Sequence, residues 1–168
     1  LWEKKSPADQ NNRISMVTRS LLLVSDEHKI IVDTGNGTKW QEKFKNIYRI
    51  ELNNMNMEKS LVKYGFTLGD ITDVYCTHLH FDHVGGNTKN VDGKLEPVFP
   101  NATHWIQSEN WKLANSPSEK DAGSFMSDDW NVLYENNMIK FVDGKESFLP
   151  GIDQLLTYGH TTGMMHPI

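Results

Sequence analysis

Thr77-His78-Leu79-His80-Phe81-Asp82-His83-Val84-Gly85-Gly86 sets three histidines and one aspartate within six residues, directly after the apolar run Ile71 to Cys76. In an extended segment residues i and i+2 face the same side, so His78 and His80 can reach one ion together. A bend after Phe81 would aim Asp82 and His83 at a neighbouring point, letting one short peptide serve two adjacent metals. Gly85 and Gly86 predict a tight strand-to-helix corner, where a side chain would crowd the backbone. Imidazole and carboxylate donors without thiolate suit zinc, with iron, manganese or cobalt as substitutes. Seven histidines in 168 residues can bunch by chance in an exposed turn. The apolar strand before the cluster and the glycine corner after it favour the metal reading.

On the N-terminal side, Ser15 to Val24 and Lys29 to Asp33 flank the polar turn Ser25 to His28 and predict a hairpin. Asp33-Thr34-Gly35-Asn36-Gly37 ends it. Trp40, Phe44, Ile47 and Tyr48 then recur at the i, i+4, i+7, i+8 spacing of a helix face that would pack on the hairpin. Met57 to Tyr64 predicts a second short helix, with Leu61, Val62 and Tyr64 near one stripe and Gly65 as its stop. On the C-terminal side, Ala102 to Gln107 predicts a strand, Ser108 caps a helix over Glu109 to Ala114, and Asn115 to Gly123 is a polar loop. Phe125, Met126, Trp130, Leu133 and Tyr134 resume a helical rhythm up to Asn137. Met138 to Val142 and Gln154 to Tyr158 predict two more strands. Strands first, then alternating helices and strands, predict one layered α+β domain with mixed strand pairing.

The chain carries 17 basic and 22 acidic residues, a formal net charge of −5. Without a basic cluster, that balance argues against nucleic acid and leaves a small molecule as the expected partner. No run approaches the roughly 20 apolar residues of a membrane span, so no membrane partner is expected. Cys76 is the only cysteine, which excludes an intramolecular disulfide, and its apolar setting reads as core rather than nucleophile. With no secretion signal after Leu1, the expected location is cytoplasmic, although a missing N-terminus would hide such a signal.

With its central motif standing as His78-x-His80-x-Asp82-His83, the sequence resembles the metallo-β-lactamase fold superfamily, whose signature is HxHxDH. Ile31-Val32-Asp33-Thr34-Gly35 is similar to the family's strand-end aspartate motif. Gly159-His160-Thr161-Thr162-Gly163 is similar to its next metal-binding motif, and the three stand in the expected order. The resemblance runs from about Ser15 to Gly163 and implies a four-layer αββα sandwich. It implies that His78, His80 and His160 hold a first metal, that Asp82 and His83 belong to a second, and that a complete domain carries two Zn2+ ions. Asp33 is implied as a structural residue behind the ligands. His166 has no ligand match and reads as lying behind the site or exposed; His28 and His104 read as surface or packing residues.

In this family a bridging aspartate and a final histidine come after the third motif. Here only Asp153 is acidic between Gly151 and Ile168. Residues 1–168 are therefore expected to be the N-terminal part of the domain, incomplete at the C-terminus and, with Leu1 in place of Met, at the N-terminus.

A metal-bound water loses its proton near neutral pH and supplies a hydroxide nucleophile without serine or cysteine. Asp82 is the expected catalytic residue, orienting that nucleophile and returning a proton to the leaving group. Lactones, β-lactams, thioesters and phosphoesters are substrates of this kind. Gly85-Gly86-Asn87, Pro97 to Ala102 and Ser108 to Trp111 are similar to the branch containing acyl-homoserine lactonases and methyl-parathion-type hydrolases, so a zinc-dependent, N-acyl-homoserine-lactonase-like hydrolase is expected. Trp105, Trp111, Phe125, Met126 and Trp130 offer an acyl pocket, against the commoner reading of plain core. The alternatives are a phosphodiesterase or phosphotriesterase of the same fold, disfavoured by the acidic charge, and a truncated, non-catalytic metal-binding fragment.

Overall fold

Strands β1 (Leu21–Val24), β2 (Lys29–Val32), β3 (Asp73–Tyr75), β4 (Thr88–Val91), β5 (Lys94–Pro97), β6 (Thr103–Gln107), β7 (Ile139–Val142), β8 (Gln154–Thr157) and β9 (Met164–Pro167) run through the chain. Between them lie helices α1 (Trp2–Lys5), α2 (Glu42–Tyr48), α3 (Met57–Val62), α4 (Phe81–Val84), α5 (Ser108–Asn115) and α6 (Asn131–Glu135). The structure is a computed structural model and describes residues 2–52 and 56–168.

Five strands make one sheet in the order β1-β2-β3-β6-β7. β1 and β2 form the predicted antiparallel hairpin, with Leu21 opposite Val32, and β2, β3, β6 and β7 run parallel. Because side chains alternate along a strand, the sheet divides two cores. Ile31, Val74 and Ile106 face a helical side with Leu61 of α3, Ala114 of α5, Phe99 and Trp130. Ile30, Val32, Tyr75 and Trp105 face the other side, where Phe148, Leu156 of β8 and Met165 of β9 cover them. Each fully buried aliphatic side chain contributes about 2 kcal/mol. The result is the α+β arrangement expected: helices, a mixed sheet, and a second strand layer begun by the antiparallel pair β8 and β9.

Several elements differ from the sequence expectation for identifiable reasons. The strand expected from Ser15 starts at Leu21, because Ile14, Met16 and Val17 are exposed rather than packed. α2 buries none of its residues, so it is not seated on the hairpin by an apolar face. Trp40 and Tyr48 instead meet Phe81, with ring centroids 5.3 and 5.4 Å away. In α3 only Leu61 is buried, while Val62 and Tyr64 are exposed. The cap of α5 is Gln107, whose side chain accepts from the amides of Glu109 and Asn110, and not Ser108. The helical rhythm read from Phe125 to Asn137 is broken by a 3-10 turn at Ser127–Asp129 before the short α6; Trp130, just before α6, and Leu133 within it are buried.

The hairpin β4 and β5 was not expected at all. Its turn places Asp92 (φ 51°) and Gly93 (φ 85°) in the left-handed region, the geometry for which an Asp-Gly pair is suited. Among the described residues no helix is long and apolar enough to cross a membrane.

Candidate metal centre

Parallel pairing of β2, β3 and β6 brings their carboxyl ends to one edge of the sheet, where α/β proteins commonly gather ligand-binding groups. Asp33 follows β2 directly, Thr77 and His78 lie just past β3, and α5 begins where β6 stops. His80 is the extended residue (φ −69°, ψ 146°) before α4. That single turn carries Asp82 and His83 back toward the sheet edge.

Two backbones interlock to hold the turn. The amides of Thr34 and Gly35 both donate to the carbonyl of His83 (2.7 and 3.1 Å), and the amide of Gly86 donates to the carbonyl of Gly35 (3.0 Å). A Cβ on Gly85 would run into the Asn36 carbonyl, and one on Gly86 into that of Thr34. Gly85 itself has an ordinary φ of −56°. Close approach of the two chains, more than the turn expected from sequence, is what requires glycine here. Gly37 needs it twice over, since its φ is +64° and a Cβ there would meet the Gly85 carbonyl.

Asp33 is the hub of the corner. It takes a left-handed φ of 55°, which aspartate tolerates better than most residues. Its Oδ1 accepts from the Thr77 amide (2.8 Å), and its Oδ2 accepts from the Thr77 hydroxyl (2.8 Å) and from His83 Nδ1 (2.7 Å). A carboxylate can only accept, so the Thr77 proton is committed to Asp33 and Thr77 Oγ1 must accept from His78 Nδ1, 3.0 Å away. His78 Nε2 is thereby left as a bare lone pair. It is buried and has no hydrogen-bond partner, a state that costs about 1–3 kcal/mol unless something fills the space. A metal ion would do so, and the imidazole and carboxylate donors around that position suit zinc.

The residues singled out from the sequence gather in two groups. One ligand nitrogen each from His78, His80 and His160 lie within 4.8 Å of one another, so the three could hold a single ion. Asp82 and His83 stand beside them: the His83 ring centroid is 4.0 Å from that of His78, and His83 Nε2 is 3.6 Å from Asp82 Oδ2. Burial, then the neighbouring rings of His83, His80 and His160, push His78 down to about 2. Burial and His160 likewise lower His80. Burial works against a charged His83 as well, yet the hydrogen bond and charge of Asp33, with Asp82, raise it. His78 and His80 are thereby held as neutral donors, as a cation requires.

The remaining candidates separate cleanly. Phe125 lies 4.9 Å from His80 by ring centroids, and with Met126, Phe81, Trp40, Tyr48 and Phe44 it lines a cavity of about 470 Å³. Trp105 and Trp130 are core, and Trp111 packs against Trp130 and Tyr134. Cys76 is buried, and burial raises its thiol to about 12, which fits the core role expected of it. His166 Nε2 meets Thr157 Oγ1 (2.9 Å) across β8 and β9, and His28 Nδ1 meets Asp73 (2.8 Å). His104 is fully buried in β6. The sequence reading gave no role to Thr77, whose place beside the motif was the available signal, or to Asn110, which it held only within the Ser108 to Trp111 resemblance.

A sequence model of the metallo-beta-lactamase superfamily matches residues 16–166. An N-acyl homoserine lactonase of Bacillus cereus is 26% identical over 161 residues, spanning 90% of this chain and 58% of its own. Among solved structures, a probable metal-dependent hydrolase of Staphylococcus aureus superposes with a TM-score of 0.86 at 25% identity, over 98% of this chain and 57% of its own. A dizinc quorum-quenching lactonase bound to its product superposes with a TM-score of 0.64 at 27% identity, over 87% of this chain and 50% of its own. This chain thus spans between half and three fifths of the length of these relatives.

Proposed function

The chain belongs to the metallo-beta-lactamase superfamily, and from that membership we propose that it forms the zinc-holding part of a hydrolase that opens lactones of the N-acyl-homoserine type. The observation that carries the reading is the buried, unpartnered Nε2 of His78 beside the rings of His80 and His160. His78, His80 and His160 would hold one ion, and Asp82 with His83 would serve a second. Zinc bound there supplies a Lewis acid for the scissile carbonyl and a nucleophile available near neutral pH.

The chain's own residues do the rest. Asp33 fixes the tautomers of His78, through Thr77, and of His83 directly. Asp82, with its side chain about half exposed beside His83, takes the proton of the attacking water and returns it to the alkoxide released as the ring opens. Water and lactone give one hydroxy acid, so no further reactant is needed. The aromatic cavity at Phe81 and Phe125 receives an apolar acyl chain. The net charge of −5 favours such a neutral substrate over a phosphodiester.

The test is twofold. Gently purified protein is analysed for bound transition metals, and then offered a panel of N-acyl homoserine lactones beside a bis-phosphodiester reporter. Bound zinc with lactone turnover is the expected result. Protein that binds no transition metal, or that turns over only the phosphodiester, overturns the proposal.

A further inference from the structure

His160 stands on the connection between β8 and β9, far along the chain from His78 and His80, and it is exposed. Its ring makes no side-chain hydrogen bond among the described residues, so something outside the ring must set its place. Asn110, in the first turn of α5, has no exposed surface. Its Oδ1 accepts from the amide of Leu79 (2.8 Å), the residue between His78 and His80. Its Nδ2 donates to the carbonyl of Thr162 (2.6 Å) and to Thr161 Oγ1 (3.3 Å), directly after His160.

We propose that Asn110 is the positioning residue that sets His160 against His78 and His80 and so governs the affinity of the three-histidine group for its ion; this rests on the metal-site reading above. A carboxamide suits the task because one short side chain presents an acceptor on one side and two donors on the other. Asn110 is itself held in place. Its amide donates to Gln107 Oε1 (2.8 Å), and that same oxygen sits where a Cβ on Gly163 would be. The start of α5 therefore grips the His160 loop at Thr161, Thr162 and Gly163 together. A further tether, from the Met165 amide to the Thr77 carbonyl (2.9 Å), lies along β9.

The test is a double-mutant cycle on the full chain, read as zinc affinity by competition with a chromogenic chelator. Asn110→Asp keeps the acceptor for Leu79 and replaces the donor facing Thr162 with an oxygen. It is expected to weaken zinc binding at least tenfold, as His160→Ala does, while the double variant binds no more weakly than His160→Ala within about twofold. Thermal melting of the metal-free proteins runs alongside. Should Asn110→Asp not fold, Asn110→Ser, neutral and too short to span both loops, carries the same comparison. A tenfold loss in His160→Ala with none in the Asn110 variant, or full additivity in the double variant, overturns this inference alone. Unchanged zinc affinity in His160→Ala overturns the metal site, and this inference with it.

Discussion

Asp33 accepts three hydrogen bonds inside the corner that carries His78 and His83, whereas the ring of His160 has no side-chain hydrogen bond among the described residues and its loop is gripped through neighbours such as Thr161 and Thr162. The corner is a lock of neighbours: two backbones pressed together at Gly37, Gly85 and Gly86, and a carboxylate that dictates two tautomers. The loop is delivered from a distant part of the chain and held at its backbone. Ligands for one cluster can thus be rigid or adjustable according to whether their rings or only their flanking backbone are fixed. The rigid group sets the geometry, and the looser one closes on whatever the rigid group has gathered.

Breaking the lock has the largest expected effect. Asp33→Ala strands the Thr77 amide and the His83 ring, and puts a Cβ residue with no compensating hydrogen bond at φ 55°. Losing several hydrogen bonds at a mostly buried polar hub, one of them to a chargeable ring, is expected to lower stability by about 4 kcal/mol. Urea unfolding of the metal-free protein would read it. A loss below about 1 kcal/mol would mean that the glycine interlock alone holds the corner.

Acid provides a second way to sharpen the contrast, because it acts on the sheet that supports both regions. His104 is completely buried in β6, and burial lowers its ring from 6.5 to about 4. Between those values the unfolded chain takes up a proton that the native ring refuses. Stability therefore falls as pH drops from about 6.5 to about 4 and gains no further slope from this residue below that. The shift corresponds to about 3 kcal/mol. It is read as the difference in acid dependence between the wild type and His104→Leu, since His78 and His80 are lowered too. If the two proteins lose stability in parallel across that window, His104 is not held neutral, and the acid sensitivity belongs to the site.

The ligands of the lock were legible because they lie close together in sequence, and Asp33 through the family's strand-end motif, whereas Thr77, which joins Asp33 to His78, was not read. His78 and His80 alternate on an extended segment, Asp82 and His83 follow a one-turn bend, and Asp33 closes an apolar strand with a turn signal. The central strands followed from apolar runs such as Ile30 to Val32 and Ile71 to Cys76, although their order in the sheet did not. What escaped was tertiary. Asn110 looks like any polar residue in Ser108–Asn115, and only the arrival of Thr161 and Thr162 makes it buried and fully bonded. Gln107 displaced Ser108 as cap because its longer side chain reaches back over the helix start, while the Ser108 hydroxyl turns to the Val142 carbonyl (3.2 Å). The hairpin β4 and β5 escaped because Thr88–Val91 has one apolar residue and Lys94–Pro97 alternates over only four residues that end in a proline, leaving Asp92-Gly93 as its main signal.

The smallest effect on the fold should come from the looser side of the comparison. His160 is exposed and its ring has no hydrogen-bond partner among the described residues, so His160→Ala is expected to change the stability of the metal-free protein by less than about 0.5 kcal/mol. The same substitution removes one of three donors that gather within 4.8 Å, so the rise in melting temperature produced by zinc should shrink sharply, since an ion stabilises the native state in proportion to its affinity for it. Asp33→Ala should do the reverse in part, lowering the metal-free melting temperature first and zinc stabilisation as a consequence. If His160→Ala instead destabilised the metal-free chain as much as Asp33→Ala, its ring would be part of the lock, and the distinction between a preorganised corner and a delivered ligand would collapse.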